Sequence, residues 1–258
     1  MEFQGKVVLI TGAAQGIGAA VAQAMAQQGA KLALFDVQQQ ALAQQVDALA
    51  SNGAQVLGIG VNVTDSTAVN AAVERVEQEL GHIDVLVNAA GILRLGSALD
   101  CSDADWEQTF NVNVGGVFRM CRAVANRMAP RGRGVIVTVA SNASAVPRQH
   151  MAAYAASKAA SAHFTRCLGL ELAVHGIRCN VVSPGSTDTA MQRQLWTSEE
   201  HKQAVINGAL EQFRLGIPLR RIADAADIAD AVIFLASERA RHITMHELCV
   251  DGGATLGA

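Results

Sequence analysis

The chain has 258 residues, of which 50% are hydrophobic and 17% charged, and a formal net charge of −3 at pH 7. That balance excludes a basic nucleic-acid footprint and an acidic tail, and no uncharged apolar run is long enough to span a bilayer. No basic region precedes an apolar one at the N-terminus, so no secretory signal is expected. The five cysteines are scattered and never form a C-x-x-C pair; they read as buried thiols of a reducing, cytoplasmic compartment.

Lys6–Gly12 (KVVLITG) is a β-branched strand ending in a glycine turn, and the alanine-rich run after it predicts a helix closed by Gly29. Lys31–Asp36 (KLALFD) is a second strand with an acid at its end. Strand, glycine turn, helix, strand and acid in this order make the dinucleotide-binding βαβ unit. Gly12, Gly16 and Gly18 let the backbone approach a pyrophosphate at the helix N-terminus, where free N–H groups and the helix dipole favour anions. Their spacing is T-G-x-x-x-G-x-G, not the commoner G-x-G-x-x-G. Asp36 is placed to bind an adenosine ribose and to repel a 2′-phosphate, which selects NAD over NADP.

Helical spacing follows at Leu42, Val46 and Leu49, a strand at Gln55–Val61, and helical spacing again at Val69, Val73, Val76 and Leu80. Ile83–Gly91 is a buried strand running into a glycine turn. Ser102 and Asp105 suggest a capping box, and a helix beyond it carries Asn113 near its middle. Strand Gly134–Ala140 leads to Ser141, and an alanine-rich helix then sets Tyr154 and Lys158 one turn apart on one face. Ile177–Ser186 is a sixth strand. Residues 187–222 break the rhythm with Gly208, Gly216 and Pro218 and read as an inserted lid, after which a helix (AADIADAVIFLAS) and a strand (HELCVDGG) complete the pattern. Alternating strands and helices imply one α/β domain over 1–258, with a mainly parallel sheet covered on both faces and functional groups at the strand carboxyl ends. Met25, Met120, Met128 and the phenylalanines are expected to fill core gaps. The histidines are scattered, so no catalytic metal is expected.

Ser141, Tyr154 and Lys158 form a constellation for proton transfer. A free tyrosine titrates near pH ~10. A cation about 4 Å away, at an effective dielectric of ~20, is worth roughly 4 kcal/mol, or about three pKa units. Lys158 is therefore expected to hold Tyr154 partly as phenolate near neutrality, with the Ser141 hydroxyl orienting the substrate oxygen.

TGAAQGIG (Thr11–Gly18), NAAG (Asn88–Gly91), Asn113, Ser141, YAASK (Tyr154–Lys158) and Pro184–Gly185 run in order over nearly the whole chain. Together they resemble the short-chain dehydrogenase/reductase family. The resemblance implies a Rossmann fold with a seven-stranded parallel sheet and an Asn113–Ser141–Tyr154–Lys158 tetrad. In that tetrad Asn113 would hold a water linking Lys158 to solvent, Ser141 would polarise the substrate oxygen, Tyr154 would be the acid/base, and Lys158 would also bind the nicotinamide ribose. For NAD it implies Gly12, Gln15, Gly16, Ile17 and Gly18 around the phosphates, Asp36 on the ribose, and Asn62 and Val63 by the adenine. Asn88, Ala89 and Gly91 would lie along the cofactor, with Pro184, Gly185 and Thr187 beside it and Thr189 on the nicotinamide carboxamide. Asn62 departs from the aspartate that many relatives place there, although an amide still accepts and donates. Dimers or tetramers through the helices bearing Asn113 and Tyr154 are also implied.

Further segments, among them NAAGILRLG, RCNVVSPGSTDTAMQRQLW, EQFRLGIPL and VDGGATLGA, resemble one branch of that family. It oxidises a cyclohexadiene diol carboxylate with NAD⁺ to a catechol acid in siderophore biosynthesis. A ring carboxylate calls for a cation, and the planar fork of arginine suits it. The candidates are Arg94 after the NAAG turn, Arg148 between Ser141 and Tyr154, and Arg193 where the lid opens, with Met191 beside it. Rival readings are a 3-oxoacyl-carrier-protein reductase and a different cyclic alcohol dehydrogenase. Such reductases normally use NADPH with basic residues near the glycine turn, where this chain has Gln15. A silent NAD(H)-binding regulator is a rival of another class, against which the intact tetrad argues.

Overall fold

The computed structural model describes residues 1–196 and 198–257, with the side chain of Leu195 left out. Each β-branched run becomes a strand: β1 (Val7–Thr11), β2 (Lys31–Asp36), β3 (Val56–Gly60), β4 (Ile83–Asn88), β5 (Gly134–Val139), β6 (Ile177–Pro184) and β7 (Glu247–Val250). They lie in the order β3-β2-β1-β4-β5-β6-β7, and every neighbouring pair is parallel. Parallel neighbours need crossovers, and the helices α1 (Gly16–Gln27), α2 (Gln39–Ser51), α3 (Ser66–Glu79), α4 (Asp103–Phe110), α5 (Val117–Met128), α6 (Ala152–Leu172), α7 (Glu199–Asn207) and α8 (Ala225–Ala236) lie along them.

Two apolar layers hold these helices on opposite faces of the sheet. Val21 and Met25 of α1, Leu42 and Leu49 of α2, and Ile228 and Val232 of α8 pack with Val8, Ile10 and Leu34. Val69, Val73 and Val76 of α3 and Met120, Val124 and Met128 of α5 pack with Leu9, Phe35 and Ile136. Burying one such side chain contributes roughly 1.5–3 kcal/mol. The chain builds β1, β2 and β3 toward one edge and then returns to place β4 on the other side of β1. Beyond the carboxyl ends of β1 and β4 this reversal opens the crevice where open α/β sheets bind ligands.

The structure refines the sequence reading at several residues. Asn113 does lie near the middle of the unbroken helical run 103–128, but on a π-helical turn, Asn111–Gly116, that joins α4 to α5. Gly115 and Gly116 weaken regular helix there, and a Cβ on Gly116 would sit 2.7 Å from Val63, so the wide turn lets the chain pass close to that loop. Of the cysteines only Cys121 and Cys179 are buried, while Cys167 is exposed and Cys101 and Cys249 are half-buried. The methionines do fill the core, but Phe213 is 83% exposed. His242 and His246 stand four residues apart, yet on the irregular stretch leading into β7. Among the described residues no three His, Cys, Asp or Glu side chains gather to hold a metal, and no helix is long and apolar enough to cross a membrane.

Candidate active site

The glycine turn after β1 forms the floor of a groove. A Cβ on Gly18 would lie 2.2 Å from the Gly12 carbonyl oxygen, and one on Gly12, whose φ is +66°, would lie 2.8 Å from the Ala90 backbone. The N-terminus of α1 has no side-chain cap and no acid in its first turn, so its N–H groups are open to an anion. A cavity of about 560 Å³ runs from it past Gln15, Gly16, Ile17, Asp36, Asn62, Val63, Ala89 and Gly91 to Thr189 and Met191. These residues fit a dinucleotide: uncapped donors for phosphates, apolar Val63 for a base, and Asp36 for a ribose.

Asp36 is 7% exposed. Its Oδ2 accepts from the Ala14 N–H at 3.0 Å and its Oδ1 from the Gln38 N–H at 2.9 Å. It is the only charged side chain among the residues lining this cavity. Asn62 Oδ1 accepts from both the N–H and the hydroxyl of Thr64, which leaves its side-chain NH₂ without a partner among the described residues. Asn88 is placed otherwise than expected. Ending β4 between Thr11 and Thr138, it turns toward α5, and its Nδ2 donates to Cys121 Sγ at 3.3 Å and Thr138 Oγ1 at 3.4 Å. The backbone beyond it borders the groove instead, anchored by Thr11 Oγ1, which accepts from the Ala89 and Ala90 N–H groups.

The tetrad is assembled from three elements. Ser141, just past β5, opens a short 3-10 turn, and its Oγ accepts from the Ala143 N–H at 3.2 Å. Tyr154 and Lys158 come from α6, with Lys158 Nζ 5.8 Å from the tyrosine ring centroid and donating to the Val139 carbonyl at 2.9 Å. Asn113 is fully buried: its Nδ2 donates to the Ile92 carbonyl at 3.0 Å and to Ser157 Oγ at 2.9 Å, and its Oδ1 accepts from the Ile92 N–H at 2.8 Å. Both of its N–H donors are therefore committed, and any water held at Asn113 must be taken by an oxygen. Gly91 leaves room for the group behind it, since a Cβ there would stand 3.3 Å from Lys158 Nζ.

The electrostatics differ from the expectation that Lys158 would hold a phenolate. Burial raises the Tyr154 phenol above its usual value, and the hydrogen bond with Ser141 opposes this only in part. Burial lowers Lys158 to about 8. The interior opposes both charged forms, so without cofactor Tyr154 is a neutral phenol.

Next to the tetrad lies a second cavity of about 340 Å³; Ile17, Ala89, Gly91, Thr189 and Met191 border both cavities, and Pro184, Gly185 and Thr187 border this one. Its apolar side is Leu93, Ala143, Met151 and Met191, and its polar side is Arg148, Arg214, Gln149, Gln192 and Gln212. Of the three arginines singled out in the sequence, only Arg148 borders it. Arg94 bonds Gln108 at 3.2 Å and lies 3.7 Å from Asp105, both on α4. Arg193 pairs with Asp188 at 2.7 Å on the outer surface. The cation that sequence reasoning missed is Arg214. An antiparallel bridge between Ala209 and Arg214 folds the lid back there, and the only signal was the arginine inside EQFRLGIPL. Burial lowers Arg148, a shift that Asp251 opposes, and burial followed by Arg148 itself lowers Arg214.

Two acids near the C-terminal end of the sheet fix this wall. Glu247 accepts from Ser183 Oγ at 2.6 Å, Ser144 Oγ at 2.9 Å and Arg166 Nη1 at 2.8 Å. Asp251 accepts from Asn142 Nδ2 at 3.2 Å. The turn that Ser141 opens is thus pinned at Ser144 by the first residue of β7 and at Asn142 by the residue that follows β7.

A family model described as enoyl-(acyl carrier protein) reductase matches residues 12–255. The chain is 54% identical over 255 residues to the 2,3-dihydro-2,3-dihydroxybenzoate dehydrogenase of Bacillus subtilis (strain 168), covering 99% of this chain and 98% of that one. It is 48% identical over 258 residues to the enzyme of the same description from Escherichia coli (strain K12), with each chain covered in full. The crystal structure of gox2181 superposes with a TM-score of 0.93 at 33% identity, covering 99% of this chain and 97% of that one.

Proposed function

Since this chain belongs to the short-chain dehydrogenase/reductase family, we propose that it oxidises 2,3-dihydro-2,3-dihydroxybenzoate to 2,3-dihydroxybenzoate with NAD⁺. It would do so as a cytoplasmic enzyme supplying a siderophore catechol. The observation that carries the substrate class is the pairing of Arg148 and Arg214 on the polar side of the cavity that Ser141 and Tyr154 border. The two guanidiniums fit one carboxylate through charge-assisted hydrogen bonds, while Leu93, Met151 and Met191 suit the faces of an apolar ring. A 3-oxoacyl thioester would bring no carboxylate to this wall.

NAD⁺ supplies the hydride acceptor. Gly12, Gly16, Gly18, Asp36 and Asn62 would hold it, with Thr189 and Lys158 toward the nicotinamide end. Ser141 donates to and orients the substrate hydroxyl. With the positive charges of Lys158 and the bound nicotinamide beside it, Tyr154 would first give up its own proton through Lys158 to solvent, and as phenolate it then takes the hydroxyl's proton as the C–H bond breaks. Lys158 balances the charge of the phenolate that precedes this step, and Asn113 clamps the backbone at Ile92 against Ser157 of α6. The resulting ketone tautomerises to an aromatic catechol, which makes the step hard to reverse. By the same resemblance the chain assembles as a homodimer or homotetramer.

The test is to compare the acid with a cyclohexadiene diol lacking the carboxylate. Arg148→Met and Arg214→Met should each raise KM for the acid roughly 10–150-fold, the loss of one charge-assisted hydrogen bond of ~1.5–3 kcal/mol. The uncharged diol should be handled almost as by the parent. Equal losses on both substrates would remove the carboxylate reading.

A further inference from the structure

Behind the arginine pair lies a small chamber of about 30 Å³, lined by Arg148, Arg214, Asn142, Ser186, Val205 and Ala254 together with the turn Leu215–Ile217. A space of that size holds one water-sized occupant. Its polar side chains are donors with capacity to spare. Among the described residues neither guanidinium has a hydrogen-bonded or ion-paired partner, and each is shifted only by burial and by charges at a distance. Asn142 spends one N–H on Asp251 and has a second, and Ser186 Oγ accepts from Gln192 at 3.4 Å, which leaves its proton uncommitted.

The acid nearest the pair does not serve as their counter-ion by contact. Asp251 already accepts four hydrogen bonds, from Asn142, Gly253 and the N–H and hydroxyl of Thr255. Two like charges beside the apolar walls of Val205, Ile217 and Ala254 therefore face a space with donors on its polar side. A water there would accept hydrogen bonds but neutralise nothing, and with Asp251 acting on Arg148 only at a distance the half-buried pair stays short of counter-charge, which is costly.

We infer that the chamber is a binding site for one small monovalent anion, chloride under ordinary conditions, held by Arg148, Arg214, Ser186 and Asn142. The site deepens the proposed function, since the same two guanidiniums face the substrate cavity. An anion in the chamber draws their charge away from a ring carboxylate, so chloride opposes the acid substrate. Its effect falls on KM and not on kcat. Chloride at four times its dissociation constant then raises the apparent KM about five-fold.

Binding is tested first without substrate, so that its outcome does not depend on the proposed reaction. The melting temperature of the full chain is measured in chloride, sulfate and gluconate at constant ionic strength, which holds general screening fixed. The expected result is stabilisation by chloride over both larger anions. Ala254→Val and Val205→Ile, which fill the chamber without touching the arginines, should each abolish that difference. Crystals grown in bromide should show an anomalous peak in contact with both guanidiniums, a readout that needs neither variant. Equal effects of the three anions, a chloride effect that survives the chamber-filling substitutions, or a chamber without bromide would each overturn the inference. Kinetics with the cyclohexadiene diol acid then follow. A rise in KM with chloride in the parent, absent in Ala254→Val, supports the coupling to substrate, and a KM indifferent to chloride removes it.

Discussion

Tyr154 is buried and protonated in the cofactor-free site, so its loss should fall on chemistry and not on binding. Tyr154→Phe keeps the ring that packs with Leu93 and Ala143, and turnover should drop at least ~100-fold with NADH binding retained, as a fluorescence titration would show. Lys158 makes a second prediction, about stability. With its pKa lowered to about 8 by burial, folded and unfolded chains are both protonated there below that pH. Between about 8 and roughly 10.5 the unfolded chain keeps a proton that the folded chain has lost, so stability rises with pH across that window, at most about 1.4 kcal/mol per unit. Lys158→Met should flatten that rise in denaturation curves of the cofactor-free protein. Asp36 gives a third. With no cation lining its cavity, ~2 kcal/mol of repulsion against a 2′-phosphate is about 30-fold in affinity, and equal kcat/KM for NAD and NADP would refute it. These residues were legible because each carries a spacing rule: the glycine turn for Asp36, one helical turn for Tyr154 and Lys158. Arg94 and Arg193 were misplaced because nothing in a loop sequence says which way a long side chain turns, and each found an acid outside the cavity, Asp105 and Asp188.

Among the elements, strand runs located all seven strands, five to within two residues at each end and β4 and β7 with ends three residues too long, since buried parallel strands leave a continuous apolar signature. The π turn at Asn111–Gly116 was not read from the sequence, since Gly115–Gly116 marks only a weakened helix and the approach of Val63 comes from another loop. Nor did the sequence reveal that the edge strand β7 supports the site. Glu247 ties α6, β6 and the Ser141 turn together through Arg166, Ser183 and Ser144, which makes it a positioning residue acting through Ser141. Glu247→Ala should lower kcat about ten-fold, the scale of one or two lost hydrogen bonds, while KM for NAD⁺ changes less than about two-fold. Glu247→Gln, which still accepts from both serines, should recover most of the loss. A variant that lost NAD⁺ affinity in step with kcat would point to general disorder instead.

Over the whole molecule, most exposed apolar side chains lie in loops and in the lid, but α5 and α6 also carry some. Phe118 of α5 is 41% exposed and stacks edge-on with Phe164 of α6, and Leu170 of α6 is 67% exposed. Such a face is where a second copy of the chain would bury area in the proposed oligomer. Phe118→Glu combined with Leu170→Glu should shift sedimentation toward the monomer, and an unchanged sedimentation coefficient would place the interface elsewhere. The hydrogen bonds from the Ser141 turn to β7 span 103 and 109 residues of chain. During synthesis a ribosome-bound chain could complete the glycine turn and Asp36 long before β7 emerges, so a nascent molecule would gain its dinucleotide groove first and its reactive serine last. Contacts so distant in sequence close slowly. Competence to bind and competence to react thus belong to different moments in the life of each molecule.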